Sequence, residues 1–436
     1  MPMQSRGLTI ARALIAAEEE QRTGYLDLGR LGLELWPEEL WELDHLSGLN
    51  LGDGWNEGVE RRRAGHTGGH GANKMNPEQA QWRRLPNLRH LYANRLKWGR
   101  LGPVHELASL HSLHCSDNEL TTLEPLAGLK SLQVLDCCSN QLSTLKPLCG
   151  LTHLKTLDCL GNQLTSLDGL EGLAALQDLR CGSNQLTFLE PLRELASLTR
   201  LSCCINKNIT SLEPLRGHVL LEWLHCSWNH ITTLEPLREL VSLKVLNCTS
   251  NEGTTLEPLE GLVSLQHLHC CHNRLLSLGP LAGLSSLRLL DCSANRISWL
   301  GPLSELHSLR TLNCSDNWID TLTGLEGLTN LRTLHCSSNR LFSLDPLAGL
   351  KSLLWLDCGS NQIAFLKPLA ALPSLEHLEI TNNPIKEMPE KLLWSHSLKD
   401  LILFGTAMDG LPEEVMSEDY YDNCLERLRA HLKPSV

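Results

Sequence analysis

The chain has 436 residues and a formal net charge of -12, with 20% charged and only 4% aromatic residues. Its acidic side chains are dispersed instead of gathered into a tail, which argues against nucleic acid or an anionic membrane as the main partner and favours a neutral or basic protein surface. The apolar runs are short and interrupted, and the opening MPMQSRGLTIARAL carries no apolar signal segment, so the expectation is a cytoplasmic protein that spans no membrane.

Residues 9–23, TIARALIAAEEEQRT, begin with Thr9, consist of good helix formers and stop at Gly24, which predicts an N-terminal capping helix within residues 1–24. Leucines at rung-like spacing follow over 25–51 as the first leucine-rich repeats. Residues 52–84 are polar, rich in glycine and without period, and read as a mobile insertion between two early rungs that orders on a partner. From 85 to 411 the chain restates one 22-residue sentence, commonly LxxLxxLxCxxNxLxxLxPLxG. Its asparagine recurs from Asn118 to Asn383, with one residue added between Asn206 and Asn229. In 412–436, apolar residues at helical spacing from Asp419 to Leu432, with Pro434 beyond, predict a C-terminal helical cap.

Within each copy the segment LxxLxC is short and apolar at alternate positions, so each rung should add one strand to a parallel sheet. The central leucine and the cysteine two places later face inward. The asparagine three places further on turns its carboxamide into the core to bond backbone groups of neighbouring turns. The remainder carries inward leucines every three residues and a proline that blocks regular helix, which predicts extended or 3₁₀ segments on the opposite side. Of the 17 cysteines, twelve recur at the inward position, from Cys115 to Cys358. Rungs about 4.8 Å apart hold such thiols parallel and poorly placed for bridging, so they should stay free, which suits a reducing compartment. Cys138, Cys204 and Cys271 are expected to face outward. The extra residue in SCCINKNI (202–209) and Gly253 in place of an inward leucine predict local irregularity.

The segment from Leu88 to Asn383, built on an LxxLxLxxNxL core, resembles the 22-residue leucine-rich repeat class of internalins and SDS22-like proteins. The resemblance implies an α/β-type repeat fold: a curved leucine-rich repeat solenoid with a parallel concave sheet, a 3₁₀/extended convex side and helical caps. The flanks, LDLGRLGLELWPEEL at 26–40 and NCLERLRAHL at 423–432, resemble the leucine-rich part of bacterial Roco proteins, in which a GTPase domain follows. No GxxxxGK(S/T) loop occurs in the chain, so this second resemblance implies a sensor arm whose GTPase or effector domain sits on another polypeptide.

The residues flanking each central leucine face outward, so the sequence itself names the columns of the concave surface. The candidate partner-binding surface joins Arg180, Arg200, Trp223, His225, Val245, His267, His269 and Asp291, with Trp228 on the adjoining loop and Trp355 farther along. Tryptophan and arginine anchor protein interfaces disproportionately. Aromatics scattered singly carry no such meaning, but Trp223, Val245 and Leu289 are apolar residues on one solvent-facing column. His267 and His269 form an HxH pair near Cys271, His272 and Asp291, a weak zinc pattern that solvated imidazoles explain as well. Cys271 and His269 project in parallel and are poorly placed as nucleophile and base. The expectation is a non-enzymatic scaffold, without metal or cofactor, that binds a protein partner on its concave face.

Overall fold

The computed structural model describes residues 3–53, 71–406, 408, 412, 415–419 and 421–432. The chain divides into two compact units, Met1–Thr210 and Ser211–Val436.

The first unit opens with helix α1 (Met3–Gln21). It starts upstream of Thr9, and Gly7 within it is buried against the Leu31 carbonyl, where a Cβ would lie 1.9 Å from the oxygen. At its far end Glu18 accepts from the Gly24 N–H at 2.7 Å and lies 3.0 Å from His45 Nε2, which ties the helix to the second rung. Eight strands follow among the described residues: β1 (Tyr25–Asp27), β2 (Gly48–Asn50), β3 (His90–Tyr92), β4 (Ser112–His114), β5 (Val134–Asp136), β6 (Thr156–Asp158), β7 (Asp178–Arg180) and β8 (Arg200–Ser202). Each pairs in parallel with the next, and the central leucines from Leu26 to Leu201 stand in one register.

Of the expected mobile insertion, residues 54–70 lie outside the described residues. Its later part departs from expectation, because Asn73 fills the inward asparagine position of the second rung. The Asn73 amide donates to the carbonyls of Leu28 and Leu51 at 2.7 Å each, and its oxygen accepts from the Leu33 N–H at 2.9 Å. Pro77–Gln79 and Trp82–Arg84 then form 3₁₀ turns. Trp82 packs edge-on against Trp36 and Trp41, with ring centroids 5.5 and 5.8 Å away, and Trp36 lies 6.5 Å from Trp98. Trp36 and Trp98 donate their indole N–H groups to the carbonyls of Asn76 and Met75, so this aromatic cluster clamps the segment that rejoins the stack.

Among its described residues the second unit holds nine strands in parallel register: β9 (Trp223–His225), β10 (Val245–Asn247), β11 (His267–His269), β12 (Leu289–Asp291), β13 (Thr311–Asn313), β14 (Thr333–His335), β15 (Trp355–Asp357), β16 (His377–Glu379) and β17 (Asp400–Ile402). A short helix α2 (Glu390–Leu393) precedes the last strand, and α3 (Leu425–His431) packs against it. Helix α3 starts later than Asp419 because Asn423 accepts from the N–H groups of Leu401 and Leu425 and donates to the Lys399 carbonyl, which holds the preceding backbone in a turn.

In both units most rungs return through a 3₁₀ turn, typically Glu-Pro-Leu, where proline occupies a position whose N–H needs no partner. Most of the asparagine ladder follows one pattern. The Asn295 amide donates to the carbonyls of Cys270, Cys292 and Ser293 at 3.0–3.1 Å, while its oxygen accepts from the Leu275 N–H at 3.0 Å. The residue before it is left-handed, as with Ala294 at φ 50. All 17 cysteines are free, and the inward row is buried. Burial pushes most of these thiols above their ordinary range, among them Cys115 and Cys270, and Cys248 to about 12. Cys204 is buried instead of facing solvent, because it lies over Gly182, where a Cβ would come within 2.8 Å of its sulfur.

Where Gly253 replaces the inward leucine, a void of ≈ 10 Å³ opens among Ile231, Leu234, Cys248, Leu256, Cys270 and Leu275. A Cβ at Gly253 would meet only Asn273 Oδ1, at 3.4 Å. Gly253→Leu should therefore stabilise the second unit by about 1 kcal/mol in urea unfolding. Asn295→Ala leaves three carbonyls and one N–H without their carboxamide partner, and should cost about 3 kcal/mol or more in the same assay.

Candidate functional site

The outward side chains of the second unit form three parallel rows, because strand alternation sends the residues on either side of each buried leucine to the same face. The row before the leucine runs Trp223, Val245, His267, Leu289, Thr311, Thr333, Trp355 and His377. The row after it runs His225, Asn247, His269, Asp291, Asn313, His335, Asp357 and Glu379. Beyond it stand small residues such as Ser227, Thr249, Ser293 and Ser315. The first row is thus partly apolar, the second hydrogen-bonding and the third small.

Trp223 meets His225 edge-on, with ring centroids 5.7 Å apart, and His225 Nε2 lies 2.7 Å from Ser227 Oγ. Burial holds the His225 imidazole below its ordinary pKa, helped by nearby His269, which keeps it neutral at physiological pH. Farther along, Trp355 stacks on His377 at 4.5 Å, and His377 Nδ1 lies 2.5 Å from Asp400 Oδ2. Asp357 is pushed up by burial but held net below the usual carboxylate range by hydrogen bonds from His335, Gly359 and Ser337.

The same face of the first unit is more charged. Tyr92 stacks flat on His114 at 4.6 Å, and His114 Nδ1 lies 3.6 Å from Asp136 Oδ2. Arg180 stands between Asp158 and Asp178 at 3.6 and 3.7 Å, and Arg200 lies 3.6 Å from Asp178. These are loose pairs, and both guanidinium groups remain about half exposed.

Of the residues singled out in the sequence, Trp223, His225, Val245, His267, His269, Asp291 and Trp355 all stand on the strand face of the second unit, and Arg180 and Arg200 on that of the first. Trp228 stands apart from the rows. It occupies the left-handed turn position before Asn229, at φ 57, and its indole is exposed. His377 and Asp400 were not singled out, although continuing the Trp355 column by register reaches both. The HxH pair and its neighbours do not converge on a point. Among the described residues, the His, Cys, Asp or Glu atoms that lie within 4.8 Å of one another as a group of three belong to Asp136, Cys138 and Asp158. Cys271 lies 3.2 Å from Thr249 Oγ1, and burial, reinforced by the Asp291 carboxylate, raises its pKa and disfavours the nucleophilic thiolate. No helix among the described residues is long and apolar enough to cross a membrane.

The profile of the family described as Leucine Rich repeats (2 copies) matches residues 108–148, 130–172 and 307–349. No curated protein sequence matches the chain. Among solved structures, the functional domain of InlJ from Listeria monocytogenes, described as including a cysteine ladder, is 30% identical over 72% of this chain and 67% of its own, with a TM-score of 0.65. A leucine-rich repeat protein of Leptospira interrogans is 26% identical and covers 96% of both chains with a TM-score of 0.73. The Arabidopsis receptor kinase HAESA, solved with the peptide hormone IDA and the co-receptor SERK1, shares the fold at 20% identity, 88% and 66% coverage and a TM-score of 0.64.

Asp158 provides a check on the electrostatics of the first unit. Burial pushes its carboxyl up, the Leu160 N–H pulls it down, Asp136 pushes it up again, and the net pKa lies above the ordinary value. A raised folded pKa favours the protonated form, so this group's contribution to stability is full at low pH and is lost as pH rises through the folded value. Asp158→Asn should therefore raise the melting temperature at neutral pH, with an advantage that fades as thermal melts are taken to acid pH.

Proposed function

Because the chain belongs to the leucine-rich repeat proteins, we propose that it is a non-enzymatic binding scaffold whose strand face takes a protein or peptide partner. The observation that carries this reading is the apolar character of an outward row: Trp223, Val245 and Leu289 lie on alternate or adjacent rungs beside a continuous hydrogen-bonding row. Nothing in the frame requires large apolar groups there; all three are half-buried by their neighbours, and the part still facing water is unfavourable unless a partner covers it. Trp223 and Trp355 would supply rigid anchors, while His225, His269 and Asp291 would pair with polar groups of the ligand. The small side chains of Ser227, Thr249 and Ser293 let a partner approach closely. On the first unit, Arg180 and Arg200 offer exposed forks for carboxylates, and Asp136 and Asp158 would steer basic surfaces. A cytoplasmic setting suits the exposed thiol of Cys149, which a reducing compartment keeps from cross-linking.

Affinity capture from the source cell with the wild-type chain, beside a Trp223→Ala/His225→Ala variant, tests the proposal. Recovery of the captured partner should fall about tenfold or more with the variant. Its circular dichroism melt should stay close to that of the wild type, since both side chains lie outside the core. Unchanged capture by the folded variant would refute the assignment of the strand face.

A further inference from the structure

Each rung also shows solvent the positions one, three and four places after its ladder asparagine. From Asn118 to Asn251 these are polar in nearly every rung, as with Gln163, Thr165 and Ser166, Phe188 being the large apolar departure. In the five consecutive rungs from Asn273 to Asn361 the pattern changes. Each presents one large apolar side chain there: Leu276, Trp299, Trp318, Phe342 and Phe365, all 46–62% exposed. The ladder continues undisturbed beneath them, so packing does not account for the change.

Cations accompany the aromatic groups. The N–H groups of Arg296, Trp318 and Arg340 donate to the carbonyls of Leu275, Ile297 and Ile319 at 2.8–2.9 Å, which keeps successive rungs in step. Arg274, Arg296, Trp318 and Arg340 therefore form one exposed column. The Arg340 guanidinium stands 5.8 Å from the Trp318 ring centre, and the Lys386 ammonium 5.4 Å from that of Phe365. Arg296 makes no ion pair among the described residues.

Two changes within the repeat sentence also serve this strip. The 3₁₀ turn that reads Glu-Pro-Leu in most earlier rungs reads Gly-Pro-Leu at Gly279 and Gly301. At Gly301 the indole of Trp299 lies so close over the backbone that a Cβ would come within 2.0 Å of it. The glycine leaves room for the indole and at the same time removes a carboxylate from that turn. In a chain with a net charge of -12, this flank of the second unit gains three arginines and loses the glutamate of two turns, while Asp316, Asp320 and Asp345 remain.

We propose that the strip from Leu276 to Phe365 is a second recognition surface, separate from the strand face, that binds an extended acidic peptide segment bearing apolar side chains. Arginine forks match carboxylates bidentately, and indole and phenyl faces bury aliphatic or aromatic groups between them. A nucleic-acid strand fits less well, because its phosphates recur at every nucleotide and would meet exposed Asp316 and Asp320 on the Trp318 rung, whereas a peptide can set its acids opposite Arg274, Arg296 and Arg340 and an apolar side chain opposite that rung.

Selection of a displayed random peptide library on the full chain, followed by titration of fluorescein-labelled selected peptides, tests this. The enriched sequences should combine Asp or Glu with aromatic or aliphatic residues, and added salt should weaken their binding. Their affinity should drop about tenfold or more with Arg296→Glu/Arg340→Glu and with Trp299→Ser/Trp318→Ser, and stay unchanged with Trp223→Ala/His225→Ala. All four strip positions are exposed, and circular dichroism melts confirm that each variant is folded. Enrichment of basic or neutral sequences, equal binding by the strip variants, loss only with the strand-face variant, or preferential binding of oligothymidylate at the strip would each overturn the proposal.

Discussion

The buried carboxamide of each ladder asparagine is the interaction on which the rest of this structure depends. An amide has two donors and an acceptor, and Asn140 uses them on the carbonyls of Cys115, Cys137 and Cys138 and on the Leu120 N–H. Two of these groups belong to the preceding rung and two to its own. One side chain therefore closes its own turn and fixes its register against the preceding rung, in a place where unsatisfied backbone groups would each cost about 1–3 kcal/mol. The same bonding holds the preceding residue in the left-handed region even when it is Ser139, Asp316 or Trp228. At Trp228 that constraint aims an indole out of the turn. A requirement of the core thereby fixes the direction of a surface aromatic.

The thiol row illustrates a different consequence of burial. Between leucines the inward cysteines act as small apolar fillers, and several lie within reach of a neighbouring carbonyl, as with Cys115 Sγ 3.3 Å from Asp136 O. Removing them from water raises their pKa and withholds the nucleophilic thiolate, so they resist oxidation wherever the protein resides. The ladder by itself therefore does not define a redox compartment. A cysteine ladder is also described for the InlJ domain that this chain resembles.

The repeating part of the molecule was legible in its sequence, because a spacing of 22 residues leaves one way for leucine, cysteine and asparagine to share an interior. The outward columns followed from alternation alone, which is why Trp223, His267 and Trp355 stand where the spacing predicts. What escaped lies where the period is broken. Asn73 performs the ladder function, but the long polar stretch before it separates it from the leucines that would have identified it. Trp36, Trp41, Trp82 and Trp98 come from three segments of chain, and no local pattern announces that four indoles gather. The helix ends shifted for tertiary reasons: Gly7 lets α1 press on Leu31, and Asn423 delays α3.

A frame this repetitive makes its exceptions readable. Where a position is dictated by the core, a substitution leaves a mark inside, as Gly253 leaves a void. Where a position faces water, the frame accepts almost any residue, and a run of consistent departures needs a cause outside the frame. Gly301 and Trp299 connect the two cases. Gly301 lies in a turn whose usual residue is glutamate, and losing that side chain gives the turn nothing; its effect appears only in the indole seated upon it. In this rung two residues depart from the sentence together, with the indole lying where a Cβ at Gly301 would stand, and the surface they form is aromatic and flanked by arginines. That coupling separates a shaped surface from a scatter of exposed aromatics, which would place large side chains without clearing room for them.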